Sequence, residues 1–208
     1  MSAAEAEGWR RTERPPGPLP DLRLYCTTDK LICPLYDPSG FVAGLQIAVS
    51  VLLSLCLFNG THSYYRQTDT LSYLYIYGGV WVKDFDNQLT RIPSTEAELN
   101  STLFKKQNCI PNMGTHYYYN MTKEKRCEDL LPWFALTTRG DLVGVGFQVF
   151  AKFTPKVKGR EWFEILEKSQ GQVAIPLGPE CLYKLSATYP VVSLHIYFID
   201  NPWNIRCR

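Results

Sequence analysis

Leu142-Val143-Gly144-Val145-Gly146-Phe147-Gln148-Val149-Phe150 is a run of β-branched, aromatic and small residues without a charge, entered through the turn signal Arg139-Gly140-Asp141. Bounded in this way, it predicts a strand. Its counterpart is Val191 to Ile199, where Leu194, Ile196 and Phe198 alternate with Ser193, His195 and Tyr197 in the two-residue period of a strand. Upstream, Leu71-Ser72-Tyr73-Leu74-Tyr75-Ile76-Tyr77 stops at Gly78-Gly79 and resumes as Val80-Trp81-Val82-Lys83 before the turn residues Asp84 to Asn87. This predicts two strands or one bulged strand. Gln88 to Ile92 continues a hairpin, and His116 to Tyr119 predicts a short aromatic strand. The one helical candidate is Glu161 to Ser169, where Trp162, Ile165 and Leu166 share a face. Many strands with a single short helix predict a mostly β protein, an antiparallel sandwich or barrel, and give no support to a Rossmann or P-loop fold.

The chain has 208 residues, enough for one well-buried domain or two small ones. Its 45% apolar and 13% aromatic residues exclude disorder, collagen and coiled coil for the bulk of the sequence. Twenty-two Lys and Arg against 20 Asp and Glu leave a formal charge of +2, so no strong field recruits nucleic acid.

Phe41 to Phe58, FVAGLQIAVSVLLSLCLF, carries no charge, and only Gln46, Ser50 and Ser54 are clearly polar. As a helix it would reach about 27 Å, near the thickness of a hydrocarbon core. Residues 41–58 therefore predict a transmembrane signal-anchor or a signal segment, with a buried core helix as the bland alternative. Residues 1–40, with Arg14-Pro15-Pro16-Gly17-Pro18-Leu19-Pro20, predict a disordered amino-terminal tail. Within it, Cys26 and Cys33 read as half of a zinc site or as palmitoylation targets, and the lack of a second Cys/His pair nearby disfavours zinc.

Residues 61–208 then form a lumenal or extracellular β-rich domain. Cys109, Cys127, Cys181 and Cys207 all follow the apolar run, an even number that suits a compartment where thiols pair. The glycosylation sequons Asn59-Gly60-Thr61, Asn100-Ser101-Thr102 and Asn120-Met121-Thr122 lie on the same side. Asn59 touches the apolar segment, which sets it apart from Asn100 and Asn120.

Motifs that carry chemistry are missing from the sequence: there is no Gly-x-Ser-x-Gly, His-Glu-x-x-His, phosphate-binding Gly-Lys-Ser/Thr or Cys-x-x-Cys. Of the three histidines, His62 lies beside the apolar segment, His116 among tyrosines and His195 inside a strand, where a satisfied structural role is the ordinary one. Arg139-Gly140-Asp141 spells an integrin-type tripeptide at an ordinary turn position. Tyr117-Tyr118-Tyr119 and the other aromatics suit either a ligand cavity or a packed core.

Asp84-Phe85-Asp86-Asn87-Gln88-Leu89-Thr90-Arg91, Cys109 with the aromatics that follow it, Tyr119-Asn120-Met121-Thr122-Lys123-Glu124-Lys125-Arg126-Cys127, Cys181, and Asp200-Asn201-Pro202-Trp203 before Cys207 together resemble the ependymin-related proteins. The likeness runs from Tyr73 to Cys207. It implies a secreted or lumenal glycoprotein with two stacked antiparallel sheets around a hydrophobic pocket, an ependymin/LolA-like β-sandwich. Lipid binding, a homodimer, calcium-dependent behaviour and no catalysis are implied with it. Carried over by position, it pairs Cys127 with Cys207 and leaves Cys109 for Cys181. The family's Cys partners before the first strand and after the last are missing here, and a retained anchor departs from the secreted pattern.

The reading is thus a non-enzymatic extracellular or membrane-tethered glycoprotein that binds a hydrophobic ligand such as a lipid, without catalytic residues, metal or cofactor. The alternatives are an adhesion or receptor-like module with a fully packed core, and a lipocalin-like carrier, for which the Gly-x-Trp entry to the first strand is not evident. Pocket residues stay unnamed, because a one-residue slip in register turns every side chain to the other face.

Overall fold

Alternation of apolar side chains sets most of the strands, and hairpin turns order them into antiparallel sheets in two separate units. The computed structural model describes residues 10–11, 23–26, 32–39, 41–50, 71–76, 78–83, 88–150, 156–157, 160–161, 163–166 and 168–207. Those up to Ile92 form one unit and those from Pro93 the other.

In the first unit β1 (Arg10–Arg11), β2 (Arg23–Cys26), β3 (Ile32–Tyr36), β4 (Val42–Ser50), β5 (Leu71–Ile76), β6 (Val80–Lys83) and β7 (Leu89–Ile92) pair in sequence order as an antiparallel meander. Gly78 and Gly79, both at positive φ, turn the chain between β5 and β6, which resolves Leu71 to Lys83 into two strands. Leu24, Cys26, Cys33 and Leu35 make a small buried cluster against which Ala43, Trp81 and Leu89 pack.

Two expectations change here. Val42–Ser50, the first half of the stretch read as a membrane helix, is a strand paired with β3 on one side and β5 on the other. A short apolar run fits a strand as well as a helix by period alone, and here the pairing with β3 and β5 decides for the strand. Residues 51–58 lie outside the described residues; among the described ones no helix is long and apolar enough to cross a membrane. Parts of the expected tail are also folded, since β2 and β3 lie within residues 1–40 and a Cys26–Cys33 disulfide clips them together. That bond replaces both the zinc and the palmitoylation readings of these thiols.

The second unit begins with α1 (Glu96–Asn100), a short helix capped by Thr95, whose side chain accepts from the Glu98 N–H. Its sheet runs β8 (Phe104–Ile110), β9 (Gly114–Tyr119), β10 (Trp133–Thr138), β11 (Asp141–Phe150), β14 (Glu164–Leu166) and β15 (Val191–Tyr197). The spatial order is β14-β15-β11-β10-β9-β8, antiparallel throughout. Between β11 and β14 lies a two-stranded ribbon, β12 (Lys156–Val157) with β13 (Arg160–Glu161). Helices α2 (Lys168–Ala174) and α3 (Glu180–Thr188) follow β14.

The helix expected over Glu161 to Ser169 is not formed: Ile165 and Leu166 pair with Val192 and Val191 at the sheet edge, and the helix starts at Lys168. Here the pairing available from β15 overrides a weak helical period. Trp162 lies outside the described residues. Arg139-Gly140-Asp141 is the plain turn between β10 and β11, with Arg139 and Gly140 both at positive φ as a tight hairpin requires. The Gly140 carbonyl accepts from the Glu96 N–H, so this turn also supports the start of α1.

Two disulfides brace the unit, Cys109–Cys207 and Cys127–Cys181, with Cα atoms 5.7 and 6.1 Å apart. All four expected Cys are bonded, but their partners are exchanged relative to the pairing that the resemblance implies. The reason lies in the course of the last residues. Asn112 N–H donates to the Ile205 carbonyl, which brings the carboxyl-terminal segment to the β8–β9 turn and Cys207 to Cys109. Cys181 stands in the first turn of α3, within reach of Cys127.

Candidate functional site

Four strands of the six-stranded sheet send one set of side chains to the face that α2 and α3 cover. His116 and Tyr118 come from β9, Phe134 from β10, Gln148 from β11, and Ser193 and His195 from β15. Register places Phe134 opposite Gly146, Gly146 opposite His195, and Gln148 opposite Ser193. Gly146 has a steric role at this crossing. A Cβ built there would lie 2.0 Å from Cζ of Phe134, so the phenyl ring rests across the strand where a side chain would otherwise stand. The ring meets Tyr118 at 5.0 Å, His116 at 5.1 Å and His195 at 5.4 Å between centroids, an aromatic floor held on three sides.

Gly146→Ala is therefore expected to lower the stability of this unit by roughly 1–3 kcal/mol, the usual range for overpacking a filled core. Phe134 is only 2% exposed and its neighbours leave the ring nowhere to swing. An unchanged denaturation midpoint for that variant would mean that the ring relaxes freely and that the floor is not rigid.

Polar contacts from β8 hold the helical cover in place. Its pairing with β9 is irregular between Lys106 and Cys109, and Gln107 and Asn108, the residues of that irregularity, reach α2 and the turn after it. Asn108 Nδ2 donates to the Val173 carbonyl at 2.7 Å, and the Leu177 N–H donates to Gln107 Oε1 at 3.0 Å. Tyr183 of α3 donates its hydroxyl to the Ile175 carbonyl at 2.5 Å, joining the two helices. Ala174, Ile175 and Leu182 are buried with Tyr118, Phe134 and Leu136 in one core cluster. Beside that cluster, between helices and sheet, is a cavity of about 400 Å³. Its volume lies in the range of small-molecule sites, and its walls are chiefly apolar.

Among the described residues no Lys, Arg, Asp or Glu lines the cavity, and the polar ones that do are His116, Tyr118, Gln148, Gln170, Ser193 and His195. Tyr118 donates to Gln148 Oε1 at 2.8 Å, and burial pushes its phenol well above the ordinary range. His116 has Nδ1 3.1 Å from the Gly114 carbonyl, an acceptor only, so a proton on Nδ1 makes this bond. Burial, with a smaller contribution from His195, pushes the His116 imidazole down to about 4, and burial alone does the same to His195. Both rings are consequently neutral at pH 7. Neither ring nitrogen of His195 nor the Ser193 hydroxyl has a hydrogen-bond partner among the described residues, although both side chains are at least nine-tenths buried. The Glu164 carboxylate stands 3.7 Å from His195 Nδ1, beyond hydrogen-bond range, and burial raises its own protonation range.

The structure thus brings together two of the three histidines considered from the sequence, their rings 6.0 Å apart, while His62 lies outside the described residues. The tyrosine run divides by strand alternation. Tyr118 faces the cavity, whereas Tyr119 packs against Phe104 and Trp133 on the other face. Asn100 and Asn120 are exposed, as glycan acceptors must be; Asn59 lies outside the described residues. Among the described residues no group of three or more His, Cys, Asp or Glu could hold a metal ion. Ser193, Gln148 and Gln107 were not singled out by sequence reasoning. The only available signal was the two-residue spacing of Ser193 and His195 on one strand. Comparison with protein-family models, with curated proteins and with solved structures finds no match for this chain.

Proposed function

We propose that this protein is a non-enzymatic extracellular or lumenal glycoprotein that binds a small hydrophobic molecule in the cavity between the six-stranded sheet and helices α2 and α3. The observation that carries the reading is the cavity of about 400 Å³ itself, apolar in most of its lining and without a charged side chain among the described residues that line it. Binding would follow from apolar surface leaving water, with the few polar groups orienting the ligand. Three disulfides suit an oxidising compartment, and the exposed Asn100 and Asn120 sequons accord with passage through the secretory pathway. Kinship with the ependymin-related proteins belongs to the same proposal. An adhesion module with a filled core is the weaker reading, because a cavity of this size leaves the core of the second unit open.

Native mass spectrometry of the full chain, made in a secretory host and enzymatically deglycosylated, tests the proposal. The expected result is a defined adduct that lipid extraction removes and identifies, or one that forms on incubation with a lipid panel. A clean protein mass that no member of the panel changes would overturn the reading in favour of the interaction module.

A further inference from the structure

The polar groups of the cavity have an unusual composition for a lipid site. Ser193 and His195 are lining residues of the cavity, and Ser193 Oγ and both ring nitrogens of His195 are buried without a hydrogen-bond partner among the described residues. Unmet buried donors and acceptors are costly, and proteins satisfy them with a bound partner when their own chain does not. What that partner is follows from which atoms donate. The Glu164 carboxylate near Nδ1 of His195 favours the tautomer with the proton on that nitrogen, which leaves Nε2 as an acceptor. Ser193 can donate and accept. The site therefore suits a group that does both, and a hydroxyl is the smallest such group.

A carboxylate or phosphate does not fit. Among the described residues no Lys or Arg lines the cavity and the charge recorded near His195 is the Glu164 carboxylate, which repels an anion, while the His116 and His195 rings are neutral at pH 7. An anion drawn in here would lose its hydration without gaining a counter-charge. An ammonium is disfavoured by the same desolvation.

We infer that the cavity selects an uncharged, predominantly hydrocarbon ligand bearing a hydroxyl, an alcohol rather than a fatty acid or phospholipid, with that hydroxyl bound at Ser193 and His195. This rests on the reading of the cavity as a ligand site. The hydrocarbon part lies on the Phe134 floor and against Val191, Ala174 and Leu182, which line the cavity from the sheet and both helices.

Matched probes of one chain length separate the inference from the reading beneath it. Decan-1-ol, decanoate and decyl methyl ether are titrated into the full-length glycoprotein at pH 7.5, with displacement of a fluorescent apolar dye as readout. Decan-1-ol is expected to bind at least tenfold more tightly than decanoate. Ser193→Ala, which removes only a hydroxyl, is expected to weaken decan-1-ol about five- to tenfold and to weaken the ether as well, because the ether oxygen also accepts from Ser193. A His195→Phe variant, which keeps an aromatic ring in the same place, is expected to weaken decan-1-ol about five- to tenfold and to leave the ether, which cannot donate to Nε2, within twofold. Equal affinities for all three probes, or tighter binding of decanoate, would overturn the alcohol assignment while leaving the cavity a ligand site. If none of the three displaces the dye, the ligand-site reading fails and the assignment with it.

Discussion

Lowering the pH from 7 to 5 should destabilise the second unit by roughly 3 kcal/mol, because each buried histidine titrating near 4 instead of 6.5 contributes about 2 kcal/mol at pH 5 and other groups offset part of it. The folded state binds fewer protons than the unfolded chain throughout this interval. The contribution of His116 and His195 is therefore complete above pH 6.5 and is lost as the pH falls toward 4. Glu164 acts in the opposite direction: its raised protonation range favours the folded state in acid, and that contribution disappears as the pH rises through the folded value. With about half of its side chain exposed it offsets the histidines only in part. Amide exchange of β10 and β11 at the two pH values measures the loss within this unit. A His116→Gln, His195→Gln double variant should flatten the slope; a wild-type stability equal at pH 5 and 7 would show that the imidazoles are not held neutral.

Loss of the Cys109–Cys207 bond is the second large effect. It closes a loop of 98 residues, against 54 for Cys127–Cys181 and 7 for Cys26–Cys33. In the chain-entropy model a loop near 100 residues is worth about 4.7 kcal/mol and the shortest loop here about 2 kcal/mol. The Cys127–Cys181 bond lies inside the larger loop and shortens the free path that Cys109–Cys207 constrains, so about 4 kcal/mol is the expected loss for Cys109→Ser with Cys207→Ser. Urea midpoints of that variant and of Cys26→Ser with Cys33→Ser provide the comparison, each read on its own unit by amide exchange. If the small loop proved the more costly to open, loop closure would not be what these bonds contribute.

How legible the fold was depended on burial geometry. β5, β6, β7, β9, β11 and β15 were found from alternation or from β-branched and aromatic runs ended by Gly or Asp. β10 escaped because Trp133, Phe134, Ala135, Leu136 and Thr137 are all buried, so no polar face marks its period. β4 belongs to an uncharged run with no polar alternation, which by period alone fits a helix as well as a strand. α2 contains Gly171 and little apolar pattern, and α1 announced itself only by Thr95 and Glu98, the spacing of a capping box. The site was less legible still. Ser193, His195, Gln148 and Phe134 become neighbours only through the pairing of β15 with β11 and β11 with β10, and strand partners cannot be read from local sequence. The disulfides show a similar limit: four Cys allow three pairings, and contact near Ile205 decided between them.

The nesting of the two bonds in the second unit bears on biosynthesis. In a chain that reaches an oxidising compartment from its amino-terminal side, as the three disulfides suit, Cys109 and Cys127 would arrive together, well before Cys181 and then Cys207. Cys109 and Cys127 would thus meet each other before either native partner, and a bond between them would have to be given up later. Formation of the nested pair in that order would pass through thiol–disulfide exchange on the scale of seconds to hours, so the isomerase supply of a secretory host is expected to set the yield of correctly bonded protein.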